Sequence, residues 1–193
     1  MRLIRDEVRV WLDAGPFFRF CEAQQLPRLG KYLGDRAHWT IDVAAEIERR
    51  AMSPNPRMRT HPGLQNLQRL GFPAHAPVRL DGELRARTAT IADEWAQEDE
   101  ETHPRANHGE IGTVLLAAHG GGELVVLDDS KGINLARLHS VPFMRTTHLV
   151  CEMVQAGALT PQQGLDVYLR VRRRKPLTEA TYRSALGQYG VRY

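Results

Sequence analysis

Apolar positions along this chain follow two patterns. Four runs are short and do not alternate with polar residues: 8–12 (VRVWL), 37–41 (AHWTI), 124–127 (LVVL) and 141–144 (VPFM). Rich in β-branched and aromatic residues, they read as strands buried on both faces. Between them the apolar spacing is helical. AGPFFRFCEAQQLPRLGKYL opens with Pro16 at a first helical position and breaks near Pro27. Asp42 reads as the cap of DVAAEIERRA, which carries Val43, Glu46 and Ile47. Further helices are expected over 62–70, ending at Gly71, and over 82–99, whose acidic end at 98–101 reads as solvated. GEIGTVLLAAHGGG is a helix ended by three glycines, and SKGINLARLH a helix capped by Ser130. The last two expected helices are 147–156, ending at Gly157, and 161–172, with Thr160–Pro161 as cap and first turn. Three prolines within SPNPRMRTHP (53–62) mark a loop.

Short strands alternating with amphipathic helices predict an α/β protein, a three-layer α/β/α arrangement around a short central parallel sheet. The length of 193 residues suits one domain, placed at 1–175, with 176–193 as a docked helix or a tail. Hydrophobic content of 42% is enough for a core, and 25% charged residues is ordinary, which argues against disorder. No apolar run is long enough for a membrane helix, and MRLIRDEVRVW has no apolar signal core. The expectation is a soluble cytoplasmic protein with no membrane partner.

Cys21 and Cys151 lie far apart in helix-like stretches and read as buried reduced thiols. A net charge of +3, carried by 23 arginines and three lysines, does not by itself separate a nucleic-acid binder from an ordinary enzyme. RVRRRK (170–175), including Arg172, Arg173 and Arg174, reads either as a phosphate-contacting cluster or as a solvated helix end favoured by the dipole.

Chemistry enters at the strand ends. Ligands of an open parallel sheet bind at the carboxyl ends of its strands. Asp13 follows the first strand and Asp128, with Asp129 beside it, follows LVVL. Glu46 sits one turn into the helix after the second strand, and Glu110 in the first turn of the helix before LVVL. Singly, each has a plain structural reading as a turn, surface or dipole-complementing acid. Together they place carboxylates at one edge, where mutual repulsion calls for a neutralising cation, and carboxylate ligands suit Mg²⁺ or Mn²⁺.

Competing motifs fail. A receiver domain needs over a hundred residues after its acid pair, and the chain ends too soon. A haloacid-dehalogenase phosphatase needs an aspartate two positions after Asp13, where Gly15 stands. Glycines 120–122 precede a strand and lack a lysine–serine pair, so they read as a helix terminator. His103 and His108 have no third ligand at hand and read as loop residues. Trp11, Trp39 and Trp95 read as core or interface aromatics.

The ordered set VWLDAGPF (Asp13), DVAAEIERRA (Glu46), GEIGTVLLAA (Glu110) and LVVLDDSKGINLAR (Asp128) resembles a PIN-domain nuclease of the VapC-like toxin type. The similarity spans about residues 8–172 and continues through VPFMRTTHLVCEMVQAGALTPQQGLDVYLRV; 51–108 and 174–193 have no clear counterpart. The resemblance implies a PIN-like fold with Asp13, Glu46, Glu110 and Asp128 as catalytic acids. Asp13, Glu110, Asp128 and Asp129 are the candidate metal ligands, Asp128 preferred over Asp129. It further implies Mg²⁺ or Mn²⁺ as cofactor and RNA as substrate, with Arg137 and Arg172–Arg174 as candidate nucleic-acid contacts. A cognate antitoxin follows as partner and, by analogy alone, a homodimer. The alternative is a PIN-fold module that binds nucleic acid or scaffolds a complex without cleaving it.

Overall fold

In the computed structural model, residues 8–52, 64–99, 107–121, 123–171 and 177–191 are described. Four strands, β1 (Val10–Leu12), β2 (Ala37–His38), β3 (Leu124–Val126) and β4 (Phe143–Met144), pair in the order β2-β1-β3-β4. Every pairing is parallel, with Trp11 beside His38 and Val125, and Val126 beside Met144. The expected α/β architecture is therefore present, with strands shorter than their apolar runs. Leu127 lies past β3, yet its N–H still donates to the Met144 carbonyl at 3.0 Å.

Because side chains alternate across a sheet, each strand feeds two cores. Val10, Leu12, Leu124, Val126 and Met144 face one. Helices α1 (Ala14–Glu22), α2 (Leu26–Leu33) and α3 (Ile41–Ala51) cover it, with α8 (Thr146–Gln155), α9 (Pro161–Tyr168) and α10 (Glu179–Gln188). Trp11, Val125 and Leu127 face the other, covered by α5 (Gly82–Asp99), α6 (His108–His119) and α7 (Ser130–Leu138). A short helix, α4 (Leu64–Leu70), leads into a turn at Gly71.

Three local expectations are corrected. The first long helix begins at Ala14, capped by the Asp13 carboxylate, so Pro16 is its third residue. It ends at Glu22, with Ala23 as its C-cap and Gln24 at φ 58°, and Pro27 lies in the first turn of α2 instead of breaking α1. Thr40, not Asp42, caps α3, its hydroxyl accepting from the Val43 N–H at 3.1 Å. Asp129, not Ser130, caps α7, accepting from the Lys131 N–H at 2.8 Å. Both corrections have one cause: the cap must be extended backbone outside the first turn, and adjacent polar residues compete for that position.

The C-terminal segment docks as a helix. Tyr182 of α10 is fully buried, packs against Tyr168 with ring centroids 5.0 Å apart, and donates its hydroxyl to the Pro161 carbonyl at 2.8 Å. Gly164 makes the room, since a Cβ there would sit 2.2 Å from the Tyr182 hydroxyl. Neither Cys21 nor Cys151 is in a disulfide, and burial raises the thiol pKa of Cys21 to about 11 and of Cys151 to about 12.

Candidate functional site: a carboxylate cluster at the strand ends

The strand order contains one reversal. From β1 the chain crosses outward to β2, then returns to place β3 on the other side of β1. Crevices open where neighbouring strands lead their connections in opposite directions, outside the carboxyl ends. Asp13 leaves β1 and Asp128 follows β3, so the reversal lies between these two acids. The Asp13 N–H still reaches the Val126 carbonyl, at 3.4 Å. A Cβ on Gly15 would lie 3.6 Å from Oδ2 of both Asp13 and Asp128, so both carboxylates approach one point.

Helix direction brings the other acids. A helix leaving or entering the carboxyl edge of a parallel sheet presents its N-terminal turn there, as α1, α3, α6 and α7 do. Glu110 lies in the first turn of α6, Glu46 one turn into α3, and Asp129 caps α7. The N-terminal dipole ends offset part of this negative charge.

Burial first, and repulsion after it, hold Asp13 and Glu110 against ionisation. Burial pushes the Asp13 carboxyl from 3.8 up to about 7, Glu46 and Asp128 pushing the same way, while the Ala14 and Gly15 N–H groups pull it down. Glu110 is raised well above an ordinary glutamate, by burial first and then by Asp13, Asp129, Glu46 and Asp128. Four sequence-expected catalytic acids and Asp129 therefore share one electrostatic neighbourhood.

Each acid is held differently. Asp128 Oδ1 accepts from the Thr146 N–H at 3.0 Å, and its carbonyl accepts from Arg145 Nη1 at 2.9 Å. Glu46 pairs with Arg50 at 2.6 Å, and the Arg50 guanidinium lies 4.5 Å above the Phe18 ring. Glu110 is 8% exposed, and its Oε1 is buried without a hydrogen-bond partner among the described residues. A Cβ on Gly132 would fall 2.2 Å from that oxygen.

An all-oxygen carboxylate set with an orphaned buried Oε1 fits a hard divalent cation in donor chemistry. Among the described residues, however, no group of three or more His, Cys, Asp or Glu side chains is gathered closely enough to hold one as it stands. Side-chain rotation would have to complete the site.

Of the arginines expected to contact nucleic acid, Arg137 alone is among the described residues, and it lies away from the acids. Arg137 is in the last turn of α7, bonded to Asn134 at 3.4 Å and lying 5.4 Å over Phe143, where β4 begins. That is the opposite end of the sheet from the acids, so the structure does not bring Arg137 to them. Arg172, Arg173 and Arg174, and His103, lie outside the described residues. Trp11 and Trp39 are core, while Trp95 is partly buried with Lys131 Nζ 5.7 Å from its ring.

Sequence reasoning missed Arg50 and Arg145. Arg50 was signalled by its helical i,i+4 spacing from Glu46; Arg145 carries no local signal, because only the β3–β4 pairing brings it to Asp128. No protein-family model, curated protein or solved structure matches the chain.

Proposed function

We propose that the protein is a metal-dependent endoribonuclease, hydrolysing RNA phosphodiester bonds at the carboxylate cluster and acting as the toxin of a toxin–antitoxin pair. One observation carries this reading. Four separate segments deliver Asp13, Glu46, Glu110 and Asp128 to the reversal point of a parallel sheet, where Asp13 and Glu110 resist ionisation. A fold has no structural need to gather repelling carboxylates in this way.

Asp13, Glu110 and Asp128, with Asp129 at the margin, would hold Mg²⁺ or Mn²⁺. Such a cation supplies a more acidic water for attack and offsets the charge that develops on the phosphodiester during in-line displacement. The chain's own groups do the rest. Thr146 and Arg145 fix Asp128 through its side chain and carbonyl. Arg50 restrains Glu46 through their ion pair. Gly132 admits Glu110 to its buried position.

The non-catalytic reading, a PIN-fold module that binds nucleic acid or scaffolds, draws on the Glu46–Arg50 pair: a carboxylate already neutralised by arginine has less need of a cation. The two readings part in one assay. Purified protein is incubated with mixed labelled RNAs and Mn²⁺, with and without chelator. The nuclease reading expects chelator-sensitive cleavage, lost in Asp13→Asn and Asp128→Asn; intact RNA of every class with the wild type would favour the binding module.

A further inference from the structure

A cleft of about 410 Å³ opens beside the acid cluster and has no part in the roles assigned above. Three helical segments and one extended segment form it: Ile41 and Asp42 from α3, Arg79 and Leu80 from the stretch that precedes α5, Arg85, Thr88 and Ala89 from α5, and His108 from α6. Its size lies in the range of small-molecule pockets, and its lining mixes three apolar side chains with five polar or charged ones. Leu80 is 4% exposed, and with Ile41 and Ala89 it gives an apolar base.

The polar groups are mixed in sign. Arg79 and Arg85 bring guanidinium donors, His108 an imidazole and Asp42 a carboxylate acceptor. Arg85 Nη2 donates to the Leu80 carbonyl at 3.2 Å, which ties the guanidinium to the segment before α5 and uses one of its five N–H donors. The buried Thr88 hydroxyl donates to the Leu84 carbonyl at 2.8 Å, which fixes its proton and leaves oxygen lone pairs. Apolar side chains beside donors and acceptors suit a nucleobase, and two arginines suit its phosphate.

The cleft also lies next to the acids. Asp42 and Glu46 are one turn apart on the same side of α3, and His108 and Glu110 flank Gly109 on α6. Gly109 is the contact between the helices, since a Cβ there would sit 3.1 Å from a Val43 methyl carbon. A phosphodiester strand meets repulsion at the carboxylates, so the guanidinium groups that Arg79 and Arg85 bring to the adjoining cleft would help to anchor it.

We infer that this cleft, between the start of α3, the start of α6 and α5, is a nucleotide subsite. It takes one nucleotide of the RNA strand beside the phosphodiester presented to the acids, the base on the apolar floor and the phosphate on Arg79 and Arg85. The inference rests on the ribonuclease reading for the identity of the strand, but binding tests it separately from cleavage.

The experiment uses the full chain carrying Asp13→Asn, in chelator, so that no cleavage intervenes. Binding of labelled hexanucleotides and of 5′-mononucleotides is followed by fluorescence anisotropy and by amide chemical shifts. Arg79→Ala and Arg85→Ala change exposed side chains, and Arg183→Ala, on α10, removes the same charge outside the cleft. The expected result is hexanucleotide binding that shifts the Thr88, Ala89 and His108 amides. It weakens roughly tenfold in each cleft variant, with a salt slope shallower by about 0.7 per arginine, and is unchanged by Arg183→Ala. Mononucleotides should shift the same amides more weakly; mononucleotides binding as tightly as the hexamer would overturn the strand assignment in favour of a free nucleotide. Hexamer binding that spares those amides, or falls equally in Arg183→Ala, or is absent, would overturn the subsite. Cleft binding by a wild-type protein that never cuts RNA would overturn the nuclease reading and leave the subsite standing.

Discussion

Glu110 occupies the space that a side chain at Gly132 would need. A Cβ on Gly132 would lie 2.2 Å from Glu110 Oε1 and 2.3 Å from its carboxyl carbon. Gly132 lies within α7, where glycine costs about 1 kcal/mol relative to alanine. The residue thus weakens its own helix and lets a buried acid into the cluster.

Gly132→Ala is expected to separate stability from function. Displacing the Glu110 carboxylate relieves repulsion and alanine favours the helix, so unfolding free energy should change by less than about 1 kcal/mol. Cleavage should fall at least roughly tenfold, because a carboxylate is moved out of place. Denaturant titration beside an RNA cleavage assay checks both halves; a loss of stability matching the loss of activity would assign Gly132 to packing alone.

The acid cluster should also set the pH dependence of stability in cation-free protein. Folding raises the Asp13 carboxyl from 3.8 to about 7, so the folded chain binds that proton more tightly than the unfolded chain. Stability is therefore highest below the ordinary value and falls as pH rises to about 7, and Glu110, raised in the same direction, adds to the slope. Asp13→Asn should flatten the slope and stabilise the cation-free protein at pH 7 by about 1–2 kcal/mol, Asp13 being only part-buried. Thermal melts from pH 4 to 8 in chelator measure this; a wild type that gains stability across that window contradicts it.

Arg50 competes with any cation for Glu46. Arg50→Ala should tighten Mn²⁺ binding several-fold by leaving the cluster more negative. Its cost in stability should stay near 0.5–1 kcal/mol, because the pair is part-exposed and the guanidinium also lies over Phe18. Calorimetric Mn²⁺ titration of the two proteins decides; weaker binding in the variant would make Arg50 a support of the site.

The C-terminal helix should be part of the fold. Tyr182→Ala empties a fully buried site and is expected to cost about 3–5 kcal/mol, read by denaturant unfolding. Tyr182→Phe, losing only the bond to the Pro161 carbonyl, should cost about 1 kcal/mol. Equal stability of all three proteins would mean that α10 is not part of the cooperative unit.

What was legible in the sequence follows from how local each signal is. Asp13 and Asp128 were readable because a buried apolar run that stops on an acid marks both a strand and its end. Glu46 and Glu110 were readable through helix register, which a few residues define. The caps were misassigned at Asp42 and Ser130, because the choice between neighbouring polar residues depends on where the backbone turns. Gly132 stood out in the sequence as an odd helix-interior glycine, but its reason, the Glu110 carboxylate, comes from α6, over twenty positions earlier. The Arg145–Asp128 contact and the cleft beside α5 depend on tertiary packing, so no sequence spacing announced them.

If these carboxylates form a divalent-cation site at the sheet's reversal point, the cation-free protein must bind Mn²⁺ there. Mn²⁺ titration at pH 7.5, followed by the loss of the free-ion electron paramagnetic resonance signal, reads that binding. Binding should be saturable, weaken as pH falls through about 7, where Asp13 takes up its proton, and be lost in Asp13→Asn and Asp128→Asn. Wild-type protein that leaves the Mn²⁺ signal unchanged, or variants that bind as tightly as wild type, would contradict it.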